Sequence, residues 1–89
     1  MAIIVEKVND TTFKVTVEAR TATTHTVSVS PEYREKLTGG EATAEQLVEK
    51  SFEFLLDRES NTSILRSFDL PTIQRYFPEY EGAIRGLLK

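Results

Sequence analysis

The stretch Thr24-His-Thr-Val-Ser-Val-Ser30, followed by Pro31-Glu-Tyr-Arg-Glu-Lys-Leu37 and the Gly39-Gly40 break, decides how the chain is read. His25, Val27 and Val29 alternate with Thr24, Thr26, Ser28 and Ser30, which is the period of a strand with one buried face. Ser30-Pro31 then has the form of a helix start, a hydroxyl cap followed by proline at the first helical position. Gly39-Gly40 closes that short helix, because glycine accepts the left-handed conformation found at many helix ends. Thr43-Ala-Glu-Gln46 reads as a capping box for a second helix running to about Asp57. Leu47, Val48, Phe52, Leu55 and Leu56 form its apolar stripe, while Glu45, Glu49, Lys50, Glu53 and Asp57 fill the opposite face. Phe54 falls off the stripe and is expected either to pack on the C-terminal segment or to lie exposed.

Upstream of this unit, Thr12-Phe-Lys-Val-Thr-Val-Glu-Ala19 alternates apolar Phe13, Val15, Val17 and Ala19 with polar residues, and Ile3-Ile-Val-Glu-Lys-Val8 precedes it. Asn9-Asp10-Thr11 between them suits a turn, so the two runs predict a hairpin. The third strand extends it to an antiparallel meander with one apolar face for helices to cover. Downstream, Asp69-Leu-Pro71 is a plausible helix cap and start, and Pro78 should end or restart that helix. The last stretch carries Ile84, Leu87 and Leu88 on one side. The expectation is a single α+β domain: an N-terminal antiparallel sheet of about three strands, followed by three or four short helices.

Eighty-nine residues suffice for one domain with a modest core. The composition, 39% apolar and 28% charged, is that of a globular chain. With no cysteine there can be no disulfide, thiol nucleophile or cysteine zinc site. The N-terminus lacks the apolar run of a signal peptide, and no stretch reaches the roughly 20 apolar residues of a membrane helix. A soluble cytoplasmic protein without a membrane association is therefore expected. The net charge of −3 is unevenly spread: residues 30–61 hold eight acids and four bases, so the basic footprint of a duplex-binding protein is missing.

Catalytic material is thin. His25 is the one histidine, and its place beside Val27 and Val29 suits a buried structural residue more than a base. The carboxylates scatter along a helix instead of converging as metal ligands do. Neither an enzyme nor a cofactor is expected. The tail is richer: Phe68, Tyr76, Phe77 and Tyr80 fall within thirteen residues, with Arg66, Arg75 and Arg85 among and beside them. Phe68 and Phe77 are expected to dock the tail on the core. Arg75, Tyr76 and Tyr80 are the candidate interaction residues, since Tyr and Arg are favoured at interface centres. Another protein is the expected partner, with nucleic acid less favoured.

The strand, the Ser30-Pro31 entry and the Thr43-Ala-Glu-Gln-Leu-Val48 helix start make residues 24–60 resemble the ribbon-helix-helix family of DNA-binding regulators and antitoxins. That resemblance implies a dimer whose two strands pair into a ribbon lying in the major groove. Thr24, Thr26 and Ser28 would then face the bases, and Thr43 with Ala44 the phosphates. The strand has none of the Arg, Lys, Asn or Gln that usually read bases. The tail Phe68-Asp-Leu-Pro-Thr-Ile-Gln-Arg-Tyr-Phe-Pro-Glu-Tyr80 is similar to that of small uncharacterised prokaryotic proteins of unknown function.

Overall fold

The computed structural model describes residues 2–88, and β1 (Ala2–Lys7), β2 (Thr12–Glu18) and β3 (Thr23–Ser28) form the expected antiparallel meander. Its first turn is held by the Asn9 side chain, whose Oδ1 accepts the Thr11 N–H at 3.0 Å. Because side chains alternate, Phe13, Val15, Val17, His25 and Val27 all fall on one face and are buried. Thr24, Thr26, Lys14, Glu18 and Ile4 occupy the other face and are exposed.

The sheet has a fourth strand, in the tail, where the sequence predicts only a helix start. β4 (Ser67–Asp69) runs parallel to β3 at the edge, giving the order β1-β2-β3-β4. A parallel neighbour requires a crossover, and α1 (Pro31–Thr38), α2 (Ala44–Leu56) and a 3-10 turn at Asn61–Ser63 supply it. Asp69 is therefore the last residue of a strand and not a helix cap. Its carboxylate accepts the Ser28 hydroxyl, and the next amide, Leu70 N–H, donates to Ser28 O at 2.8 Å. α3 (Thr72–Tyr76) begins two residues later without a side-chain cap, and α4 (Tyr80–Leu87) follows Pro78.

Both helix starts in the middle of the chain are as read. Ser30 Oγ accepts the Tyr33 N–H, and Thr43 and Gln46 exchange reciprocal capping bonds. Gly39 closes α1 at φ 65, a left-handed value that favours glycine. α2 is buried on two sides. Phe52 meets the sheet, with ring centroids 5.3 Å from His25 and 6.1 Å from Phe68. Phe54 faces the C-terminal helices, 5.9 Å from Phe77 and 5.3 Å from Tyr80. Its departure from the stripe is thus explained by a second layer: α4 packs on α2, so α2 is apolar on two flanks. In α4 the inward residues are Tyr80 and Ile84, with Leu88 half-buried, at the four-residue spacing of one helix face. Leu87 is 44% exposed, contrary to its expected place beside Ile84.

Two clamps tie the second layer down. Tyr33 Oη donates to Glu81 Oε2 at 2.9 Å while Lys36 Nζ lies 3.3 Å from Glu81 Oε1, joining α1 to α4. Arg58 lies 3.6 Å from the Phe54 ring centroid and donates to Glu79 Oε2 at 3.2 Å. Burial raises the pKa of the Tyr33 phenol above its usual range, with the Glu81 bond adding to it, and burial does the same to Tyr80. Both native values stand above the unfolded value of about 10. The folded chain thus retains two protons that the unfolded chain gives up. The stabilisation is complete below about pH 10 and is lost as pH rises beyond it. Urea midpoints measured from pH 8 to 12 should be level up to that point and then fall. A midpoint that stays level to pH 12 would contradict the burial of these phenols.

Candidate functional site

An apolar groove of about 310 Å³ opens between the end of α2, the 3-10 turn, β4 and α3. Leu55, Ile64, Leu65, Phe68, Ile73 and Tyr76 supply its main apolar surface. Leu55, Ile64 and Ile73 are core residues that reach its floor, whereas Leu65 is 49% and Tyr76 67% exposed at its rim. Glu59 is the charged residue of the lining. An exposed leucine and an exposed tyrosine are unremarkable singly. Here they border one concave apolar surface, which is the form of a site that receives an apolar side chain.

The segment 61–66, whose Ser63, Ile64 and Leu65 form one wall of the groove, is held by a buried polar chain centred on His25, which is 1% exposed. The Leu65 carbonyl can only accept, so the ring nitrogen Nδ1 at 2.8 Å carries the proton between them. Nε2 is then the acceptor for the Thr23 hydroxyl at 2.9 Å. Asn61 Nδ2 donates in turn to Thr23 Oγ1 at 2.9 Å and to Thr21 O at 2.6 Å. Each of these bonds joins a donor to an acceptor, and among the described residues no buried side-chain N or O lacks a partner. The buried histidine foreseen from the strand pattern therefore has a definite task, which is to fasten the groove wall to β3. Asn61 gave no such signal in the sequence, because its partners lie about forty residues away.

The three tail candidates separate. Tyr76 lines the groove and is exposed. Arg75 is exposed beside it but is not part of the lining. Tyr80 is 0% exposed and cannot touch a partner in the folded chain. Ser51 Oγ gives its proton to Leu47 O at 2.7 Å, so Tyr80 Oη donates to Ser51 Oγ at 2.6 Å. Tyr80 is a core residue that brings its own polar partner, a use of tyrosine that spacing alone does not distinguish from a surface one.

Thr24, Thr26 and Ser28 lie on the open face of the sheet, on the central strand β3. A ribbon of the kind the resemblance implies needs a strand with a free edge, and β3 is hydrogen-bonded on both sides, to β2 and to β4. Pairing with a second chain would require β3 to leave its sheet. Thr43 is exposed and its hydroxyl is engaged by the Gln46 N–H. The ends of α1 and α2 meet near it in a concavity of mixed charge, where Asp10 and Glu45 stand among Lys7 and Arg34. Among the described residues no group of three or more His, Asp or Glu side chains could hold a metal ion, and no helix is long and apolar enough to cross a membrane. No family model, curated protein or solved structure matches the chain.

Proposed function

We propose that this is a small, non-catalytic, cytoplasmic protein-interaction module that takes an apolar side chain of a partner protein into the groove beside Tyr76. The observation that carries the reading is the pair Leu65 and Tyr76, exposed at the rim of a concave apolar surface whose floor is the core itself. What supports it over a dimeric DNA-binding regulator is the interior place of β3 and the acidic balance of the chain.

The test uses Leu65→Ser and Tyr76→Ser, two changes at exposed positions that leave the core packing in place. Quantitative affinity enrichment from cells that produce the protein is compared for the parent and the double variant. A partner retained by the parent and depleted about tenfold or more by the variant is expected, since aromatic anchors at interface centres contribute about 2 kcal/mol or more. Equal recovery of every bound protein would overturn the reading. Salt-dependent retention of duplex DNA that is lost in Thr26→Glu and Ser28→Glu would replace it with the regulator.

A further inference from the structure

The apolar groove does not end at Phe68. Leu65, Phe68 and Thr72 also border a second, shallow concavity on the opposite face of the sheet, which holds Thr26, Ser28, Ser67 and Asp69. The ridge between the two is the outer edge of β4. In the parallel ladder, Thr26 N–H donates to Arg66 O at 2.7 Å and Leu70 N–H to Ser28 O at 2.8 Å. The Arg66 carbonyl, the Phe68 backbone and the Leu70 amide thus face β3, and the backbone groups of Ser67 and Asp69 point the other way. Among the described residues nothing bonds to the backbone N–H or C=O of Ser67 or Asp69. Both residues are exposed.

Resting on the interaction reading above, we infer that the occupant is an extended segment of a partner protein that adds a strand to β4 and carries a large apolar residue next to a basic one. Its backbone would pair with Ser67 and Asp69, which sit two residues apart as alternate positions of a strand do. The partner residue opposite Phe68 shares its face of the sheet and drops its side chain into the groove. The neighbouring residue, opposite Asp69, shares the other face, where the Asp69 carboxylate meets it. Charge complementarity selects lysine or arginine there: Asp69 stands on one side of the edge, Glu59 in the groove on the other, and the chain carries a net charge of −3. β4 is three residues long with exposed Arg66 before it and Pro71 after it, which confines an added strand to pairing at Ser67 and Asp69.

The 89-residue chain, labelled with 15N, is titrated with the blocked peptide acetyl-Thr-Lys-Leu-Lys-Thr-amide and followed by amide and side-chain chemical shifts. Expected are shifts at the Ser67 and Asp69 amides together with Leu65 and Tyr76, and slower hydrogen exchange at the two edge amides. Replacing both lysines by glutamate, or the leucine by serine, should weaken binding about tenfold. Asp69→Lys should reverse the preference between the lysine and glutamate peptides, and Asp69→Asn, which still accepts the Ser28 hydroxyl, should remove the preference. Shifts confined to Leu65, Tyr76 and Phe77, with silent edge amides, would overturn strand addition and leave the groove reading standing. Edge amides that shift with protein concentration alone would make a second copy the occupant and overturn the inference as well. No response to any peptide would also overturn it, while the enrichment experiment decides the broader reading by itself.

Discussion

Phe52→Ala is expected to lower the unfolding free energy by about 3–5 kcal/mol, the usual range for deleting a fully buried aromatic. Phe52 is 0% exposed and is the residue of α2 that meets both His25 on β3 and Phe68 on β4. Its ring fills the junction where the crossover returns to the sheet. Alanine would leave a void that neither the paired strands nor the capped helix can close by moving. Domains of this size commonly hold only about 5–15 kcal/mol in total, so the variant should lose a large fraction of its stability. Urea unfolding followed by circular dichroism measures this directly. A loss below about 1.5 kcal/mol would mean that the junction can repack and that β4 does not depend on it.

His25→Ala is the second large expected effect, about 2–4 kcal/mol, by a different route. The ring is the bridge between the Thr23 hydroxyl and the Leu65 carbonyl. Without it, that carbonyl loses its donor, and Thr23 must find another acceptor in a buried place. Phe52 also loses a ring contact. His25→Phe separates the terms, because it keeps an aromatic body and removes only the hydrogen bonds. Hydrogen exchange is the more telling readout. In both variants the amides of residues 61–66 should exchange faster relative to those of the β1–β2 hairpin, since the groove wall loses its fastening while the meander keeps its own. Uniform loss of protection across the chain would show that His25 supports the whole core and has no particular hold on the groove. Tyr76 and Leu65 would then keep their geometry until global unfolding.

These effects concentrate where local sequence signals were weakest. The hairpin, the third strand, Ser30-Pro31, Gly39 and the Thr43–Gln46 box were all legible, because each depends on residues within about four positions of one another. Ser67-Phe68-Asp69 was not. Three residues carry no period, and only pairing with β3, some forty positions earlier, makes them a strand. Tyr76 and Tyr80 show the same limit within one segment. Both are tyrosines next to charged residues, and the difference between a groove rim and a core hydrogen bond lies in α3 standing beside the groove while α4 packs on α2.

Local sequence was enough for the α+β class, for the buried side of β2 and β3 and for the starts of both central helices. Tertiary structure alone decided the fourth strand, the burial of Tyr80, the interior place of β3 and the groove at Leu65 and Tyr76. Periodicity and caps are written in neighbouring residues. A groove beside an open strand edge is formed by segments distant in the chain, and it exists only once they are packed together.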